Sequence, residues 1–305
     1  MTTTLTTAPP MAASPLNQLI RRYPLTAFFV LAYALSWPYM IVDALGSHGL
    51  LGFRLPMLLW IPMGYGPTFA ALIVTGALVG KTGIRTLLGR LLIWRVGWPW
   101  YAVAVFGSVM LSGITVLLYA LLSGMSPVAP VVSAQALITA PLLFLIGGLV
   151  NGEEIGWRGF ALPRLLAKHS ALTASLILGS LWALFHLPLF FTRGDLFAST
   201  PPLSFLVRMI GAAILFTWIF NNTGGSLLLA YVMHAASNFW PRVLPMEAIV
   251  GPFAWLPDAI TILVVVLVVV IYGPTHLSRK AASELPDLLA GQPLGRPRII
   301  EEHTR

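Results

Sequence analysis

The chain has 305 residues, of which 57% are hydrophobic and only 9% are charged. An average soluble domain carries about 25% charged residues, so this composition excludes an ordinary soluble protein and indicates a polytopic membrane protein. Cysteine is absent from the sequence, which excludes disulfides and thiolate chemistry. The net charge of +8 is better explained by Lys and Arg in cytoplasmic loops than by nucleic-acid binding.

Eight stretches are apolar and long enough to cross a bilayer, which takes roughly 20 helical residues. They are residues 24–45, 56–80, 98–122, 134–162, 171–191, 203–221, 225–240 and 252–272. We therefore predict an all-α protein, a bundle of about eight transmembrane helices with an intramembrane catalytic cavity, in a membrane domain covering residues 24–273. Residues 1–23 and 274–305, which are polar or rich in Pro, are predicted to be disordered cytoplasmic tails.

Basic residues are distributed unevenly between the connecting segments. Lys and Arg are frequent before the first span, between the second and third, between the fourth and fifth, and after the eighth, whereas the alternate loops hold few. Because such loops stay on the cytoplasmic side, both termini are predicted to be cytoplasmic. We expect an integral multi-pass protein of the bacterial cytoplasmic membrane.

Polar side chains within the predicted spans indicate a functional site, because ionisable groups in a bilayer are costly. They are Glu153 and Glu154 in the fourth span, His186 in the fifth, and His234 with Asn238 in the seventh. With a rise of about 1.5 Å per residue from the turns near Lys168 and Gly224, these groups reach similar depths. The sequence therefore predicts one site within the membrane, and we expect it to open toward the cytoplasm.

Spacing along the helices separates the two glutamates. Glu154 and Arg158 are four residues apart and share a helix face, so we predict that they pair. Glu153 lies about 100° round the helix and is expected to face the bundle interior. His234 and Asn238 are also four residues apart and can address one point. Five glycines are expected to permit close helix approach and local unwinding: Gly147, Gly148, Gly152, Gly156 and Gly159.

This set of side chains is suited to hydrolysis. A glutamate beside a histidine can take a proton from water, and a His–Asn pair can donate hydrogen bonds to a tetrahedral oxyanion. Trp182, one turn before His186, is expected to support the site by packing on the imidazole. The set Glu153, His186 and His234 can also hold zinc with one position open for water. The residues alone are compatible with both mechanisms.

Three motifs in this order resemble those of the CPBP family, the type II CAAX prenyl endopeptidases, also called the Abi family. They are Glu153-Glu154-x-x-x-Arg158, an aromatic residue followed by x-x-x-His186, and His234-x-x-x-Asn238. The family has bacterial members linked to bacteriocin processing and self-immunity. The resemblance covers about residues 140–240, in a predicted family-like core of 134–240. Trp182 stands where the second motif usually has Phe.

The resemblance implies an intramembrane endopeptidase that hydrolyses a peptide bond in a membrane-associated or lipid-modified protein or peptide. It implies that Glu153 and His186 activate the water and that His234 and Asn238 form the oxyanion hole. It assigns supporting roles to Glu154 and Arg158. The family has long been labelled a metalloprotease. We nevertheless favour a metal-free mechanism without a cofactor, because Asn238 suits hydrogen-bond donation better than metal ligation.

Two other classes of protein remain as alternatives. One is a non-catalytic membrane scaffold or bacteriocin-immunity-like protein with the same fold, against which the intact Glu153, His186, His234 and Asn238 argue. The other is a transporter whose intramembrane Glu and His side chains relay protons. Inverted repeats would favour a transporter, and the sequence has no evident ones. Zinc-dependent and metal-free proteolysis are separated by the response to a chelator.

Overall fold

A computed structural model of the chain describes residues 15–56, 60–124, 144, 152–244, 246 and 249–280. Within these ranges the protein is helical and has no β-strand, which confirms the predicted all-α class. The α-helices are α1 (Pro15–Arg22), α2 (Pro24–Ser47), α3 (Trp60–Val79), α4 (Lys81–Gly89), α5 (Trp98–Ser123), α6 (Leu162–Leu166), α7 (Ala171–Phe185), α8 (Pro202–Asn222), α9 (Leu227–Val243) and α10 (Leu256–Tyr272). A π-helical segment, Ile155–Ala161, leads into α6, and 3₁₀ turns at Leu187–Phe191 and Leu196–Ser199 follow α7.

Five helical segments in the described residues are long and apolar enough to cross a membrane. They are α2, α5, α7 with its extension to Phe191, α8, and α10 with the 3₁₀ turn before it. These correspond to the predicted first, third, fifth, sixth and eighth spans. The apolar part of α3, Met63–Val79, is shorter, and so is α9 with 17 residues; they correspond to the second and seventh spans. The fourth predicted span, 134–162, lies largely outside the described residues.

The described end of the fourth predicted span is a π-helix rather than an α-helix. Glycine makes this segment narrow enough for α3 to pack directly on it. A Cβ atom added at Gly156 would lie 2.6 Å from backbone atoms of Pro67 on α3. The expected close approach and local unwinding are thus found here, whereas Gly147 and Gly148 lie outside the described residues.

The core around this segment is aromatic. Phe28 from α2 stacks on Phe160 with ring centroids 5.0 Å apart, and its edge meets Trp157 at 5.5 Å. Phe185 from α7 contacts Trp157 at 5.4 Å. The π-helical segment is therefore enclosed between α2, α3 and α7, and all seven of its residues are buried.

The predicted disordered tails are wrong at their inner ends. On the amino-terminal side, α1 occupies part of the range 1–23 and buries Ile20. The Nη2 atom of Arg21 donates to the carbonyl oxygen of Ala77 at 3.0 Å. This carbonyl belongs to the last turn of α3, where helical carbonyls lack partners within the helix, so a basic side chain is held there.

On the carboxy-terminal side, the segment directly after α10 is docked onto the bundle. The backbone N–H of Ala171 donates to the carbonyl of Thr275 at 2.7 Å, and Asn222 Nδ2 donates to the carbonyl of Leu277 at 2.8 Å. Leu277 is fully buried. The physical reason is that the first turn of α7 needs acceptors for its free N–H groups, and the segment supplies them.

The bundle has two distinct ends. One end, which we call the basal end, contains the start of α2, the end of α3, the start of α7 and the end of α10. The Arg21 contact links α1, directly before α2, to the end of α3, and the Ala171 contact links the start of α7 to the segment after α10. We call the rim end the opposite one, where α2 and α7 end and α3 begins. Ser226 before α9 also belongs to the basal end, because its hydroxyl donates to the carbonyl of Ile93 in the basic α4–α5 connection.

Candidate active site

Glu154 lies at the centre of a buried ion-pair network. Its Oε1 atom accepts from Arg158 Nη1 at 2.9 Å, as the spacing of four residues predicts. The same oxygen lies 2.7 Å from Nδ1 of His234, which is 80 residues away along the chain. Because a carboxylate oxygen paired with arginine is an acceptor, His234 donates from Nδ1. The sequence contains no local signal for this second contact.

Arg158 is fully buried and is held by aromatic faces as well as by the carboxylate. The guanidinium carbon lies 4.1 Å from the ring centroid of Trp182 and 3.9 Å from that of Phe216. Such cation–π contacts are strongest where water is excluded. Within the described part of the chain, Nε and Nη2 of Arg158 have no hydrogen-bond partner, so Glu154 and the two rings provide its stabilisation.

Glu153 is 5% exposed and has partners of a different kind. Its Oε2 atom accepts from Nε1 of Trp157 at 2.8 Å and from Nε1 of Trp182 at 2.7 Å. Sequence reasoning missed Trp157, although its spacing of four residues from Glu153 was a usable signal. Both imidazoles, those of His186 and His234, are close enough to Glu153 for direct electrostatic interaction.

His186 stands at the carboxy-terminal end of α7, where Pro188 follows and favours the end of a helix. Its Nδ1 atom lies 2.8 Å from the carbonyl oxygen of Trp182. A carbonyl can only accept, so Nδ1 carries the hydrogen and Nε2 of the neutral ring has the free lone pair. The expected contact with the Trp182 ring exists at 6.3 Å between centroids, and Phe197 stacks on the imidazole at 5.3 Å.

The predicted site residues lie around a cavity of about 440 Å³. Glu153, His186, His234 and Asn238 all line it. Its wall includes Met40, Met63, Phe185, Leu189 and Phe197, and its mouth includes Arg54, Arg193 and Asp195. The three helical segments that carry the motifs therefore meet at one pocket, as the depth argument predicts.

The cavity opens at the rim end of the bundle. Arg54 follows α2, and Arg193 follows the 3₁₀ turn after α7, so both belong to that end. Helix α7 has 15 residues and carries His186 about 22 Å from the basal end. The site is expected to open toward the cytoplasm, and both termini are also expected to be cytoplasmic. The two expectations cannot both hold, because α1 and the segment after α10 lie at the basal end, away from the cavity mouth.

A second, apolar groove lies behind the wall of this cavity. It has a volume of about 470 Å³ and is lined by Trp37, Ile41, Ala44, Leu45, His48, Leu50, Leu187, Pro188 and Phe191. Leu189, in the same 3₁₀ turn as Leu187 and Pro188, faces the first cavity instead. One turn of chain thus separates a polar pocket from an apolar groove.

The site residues are not arranged as metal ligands. Among the residues that the structure describes, no three His, Asp or Glu side chains form a group that could hold a metal ion. One oxygen of Glu153 accepts from two indoles, and the Nδ1 atoms of His186 and His234 are engaged with a carbonyl and a carboxylate. A bound metal would have to use Oε1 of Glu153 and the Nε2 atoms of the two histidines, and the response to a chelator distinguishes the zinc-dependent from the metal-free mechanism.

The fold and site define an α-helical, multi-pass membrane protein with a buried Glu–His–His–Asn pocket. Residues 131–240 match the family model of the type II CAAX prenyl endopeptidase, Rce1-like. Over 110 residues the chain is 31% identical to the CAAX prenyl protease 2 of Methanococcus maripaludis. This matched stretch covers 34% of this chain and 41% of that protein. The matched part thus spans about two fifths of the relative's length. Residues 131–240 are therefore similar to the type II CAAX prenyl endopeptidases, the family that the three motifs resemble.

Proposed function

We propose that the protein is an intramembrane CAAX-type endopeptidase that hydrolyses a peptide bond in a membrane-associated or lipid-modified protein or peptide. The observation that carries the proposal is the meeting of Glu153, His186, His234 and Asn238 at one cavity. The similarity of residues 131–240 to CAAX prenyl endopeptidases supports the same reaction class.

Water activation is assigned to Glu153 and His186. The Oε2 atom of Glu153 is occupied by two indole N–H groups, so Oε1 is the oxygen that can accept a proton from water. The Nε2 atom of His186 has its lone pair free and can accept the second hydrogen of the same water. A water held between these two atoms has its oxygen lone pair directed at a substrate carbonyl.

Oxyanion stabilisation is assigned to His234 and Asn238. Since His234 donates to Glu154 from Nδ1, its Nε2 atom can donate to the oxyanion only when both ring nitrogens carry hydrogen. Asn238 lines the same cavity one helical turn further along and offers an amide N–H.

The reaction balances with these groups alone. The hydroxyl of water adds to the carbonyl carbon while Glu153 takes the proton, and the developing oxyanion accepts from His234 and Asn238. The C–N bond then breaks, and Glu153 returns the proton to the leaving amine. The products are a carboxylic acid and a free amine, and transfer of the acid proton to the amine gives a carboxylate and an ammonium group, so no cofactor is required.

A lipid-modified substrate suits the two neighbouring cavities. The polar pocket would take the peptide, and the apolar groove lined by Trp37, Ile41 and Phe191 would take a hydrocarbon chain. Burial of a chain of CH₂ groups contributes about 0.8 kcal/mol per group in an apolar environment. The name of the Methanococcus relative, a prenyl protease, supports a prenylated protein as the substrate class.

The test is cleavage of a farnesylated, internally quenched peptide by the purified protein in lipid nanodiscs. We expect Glu153→Gln and His186→Ala to lower kcat/KM at least about 10²-fold, the lower range of a general-base contribution. Leu263→Ala, on an exposed face of α10, serves as the control and should retain activity. Absence of cleavage by the wild-type protein would remove the protease proposal in favour of a scaffold or transporter. Full activity of Glu153→Gln would remove Glu153 as the base, and loss on chelation restored by zinc would overturn the metal-free mechanism.

A further inference from the structure

Within the described part of the chain, the hydrogen bonds to Glu153 fall on one of its two oxygens. The two indole N–H groups of Trp157 and Trp182 converge on Oε2 at 2.8 and 2.7 Å. Both tryptophans are buried, with exposed fractions of 0% and 4%. A hydrogen bond to a carboxylate in such a setting is strong because water does not compete for it. Rotation that exchanged the two carboxylate oxygens would break both bonds, so Oε1 and Oε2 are not equivalent.

Trp182 contacts both members of the water-activating pair. Its indole donates to Glu153, while its backbone carbonyl accepts from Nδ1 of His186 at 2.8 Å. The side-chain contact sets the orientation of the carboxylate, and the backbone contact sets the tautomer of the imidazole. One residue thereby aligns the two atoms between which the water is proposed to sit.

Trp157 is held by packing that presets the direction of its N–H group. Its ring stacks on Phe29 at 6.0 Å and meets the edges of Phe28 and Phe185 at 5.5 and 5.4 Å. Neither Trp157 nor Trp182 lines the cavity that holds the site. The two indoles therefore contact the carboxylate from behind and are out of reach of a substrate in that cavity.

We propose that Trp157 and Trp182 are positioning residues that clamp Glu153 by Oε2 and so present Oε1 alone to the attacking water. This inference rests on the proposed function, because it assigns Glu153 as the base. Trp182 occupies the position where the second family motif usually has Phe, which has no N–H group. The second donor of the clamp is therefore a feature of this chain, and Trp157 is a residue to which the motifs assign no role.

The kinetic test uses Trp157→Phe, Trp182→Phe and the double variant with the same farnesylated peptide. Since misplacing a catalytic group by about 1 Å costs roughly 10²-fold, we expect kcat to fall about tenfold in each single variant and about 10²-fold in the double. KM should stay within about twofold, because the indoles do not line the substrate cavity. Trp182→Phe keeps the backbone carbonyl to His186 and an aromatic ring beside Arg158, and an isosteric replacement of Trp182 is needed to separate the N–H bond to Glu153 from the packing of the ring.

Trp218→Phe is the matched control. The Nε1 atom of Trp218 has no hydrogen-bond partner within the described residues, and its ring packs on Trp100 and Tyr272 away from the site. It should keep wild-type kcat. Replacing Trp182 by the isosteric benzothienylalanine, which has sulfur in place of N–H, should lower kcat as much as Phe does.

A stability cycle tests the clamp without any substrate. Thermal unfolding should show that Trp182→Phe lowers Tm in the wild-type background and has a clearly smaller effect in the Glu153→Ala background, because its partner is gone. Equal changes of Tm in both backgrounds would overturn the clamp. So would wild-type kcat in both Phe variants while Glu153→Gln is inactive, and either result would leave the proposed function standing. An active Glu153→Gln variant would overturn the clamp together with the assignment of Glu153 as the base, and absence of cleavage by the wild-type protein would overturn the proposed function.

Discussion

At the scale of single residues, the two adjacent glutamates differ in which donors reach their oxygens. Glu154 is neutralised by Arg158 and His234, both of which carry or can carry charge. Among the described residues, the donors to Glu153 are neutral indoles on one oxygen, and the side chain lines the cavity. Adjacent positions on a helix point about 100° apart, so one glutamate can face an ion-pair network while the other faces a pocket.

The burial of the Glu154–Arg158 pair leads to a prediction about the free energy of unfolding. Arg158→Leu leaves Glu154 as a buried charge without its main partner, and we expect the loss to be about 3–5 kcal/mol. Glu154→Gln with Arg158→Leu should recover part of this, since no unpaired carboxylate remains. Thermal unfolding in detergent measures both.

An exposed ion pair in the same protein supplies the comparison. Arg208 and Asp258 lie 3.0 Å apart at the contact of α8 with α10, and the Arg208 side chain is 41% exposed. Arg208→Gln should therefore cost no more than about 1 kcal/mol. If Arg158→Leu proves as mild as Arg208→Gln, the burial of the Glu154 network has no energetic consequence and its proposed supporting role is wrong.

At the scale of elements, the site depends on a helix that is not regular. The π-helical segment Ile155–Ala161 carries Trp157 and Arg158 directly after the two glutamates. Segments of this kind are rare and recur at functional sites. Here the segment packs on α3 through Gly156, where a side chain would collide with the backbone of Pro67.

Gly156→Ala is the test of this packing. The added methyl group would meet backbone atoms that cannot turn aside, so we expect a loss of about 1–3 kcal/mol or more from overpacking and a fall in activity as the glutamates shift. Gly113→Ala on α5 is the matched control, because nothing lies within 4 Å of its added Cβ. That variant should be as stable as wild type or slightly more stable. Unchanged Tm and activity in Gly156→Ala would contradict the close approach of α3.

At the scale of the whole molecule, the cavity mouth lies at the opposite end of the bundle from α1 and from the segment that follows α10. The basic loops cluster at the basal end, with Lys81, Arg85, Arg95 and Lys168 among them. Positive loops remain cytoplasmic, so we expect the basal end inside the cell and the cavity mouth on the other face.

Cysteine labelling tests this orientation directly, because the native sequence has no cysteine. In intact cells an impermeant maleimide should label Ser199→Cys at the rim end, and Lys168→Cys only after the membrane is opened. The reverse pattern would put the cavity mouth in the cytoplasm and invert the predicted termini. Labelling of both from one side would contradict the arrangement of the bundle itself.

Local sequence determined a large part of this protein. Apolar length determined the helices, because a helix must satisfy its backbone within the bilayer. The helical period determined the Glu154–Arg158 pair and made the Glu153–Trp157 contact accessible to prediction. Motif order gave the resemblance to the type II CAAX prenyl endopeptidases, and helical rise predicted four side chains at one depth.

Only the tertiary structure decided how these groups are connected. The contact between His234 and Glu154 joins residues 80 positions apart, and that between Trp182 and Glu153 joins residues 29 apart, so neither follows from a helical period. The π-helical turn, the docking of residues 274–280 and the end at which the cavity opens also depend on neighbouring helices. The physical reason is that spacing along a helix determines on which face a side chain lies, whereas the packing of neighbouring helices determines which side chain of another helix contacts it.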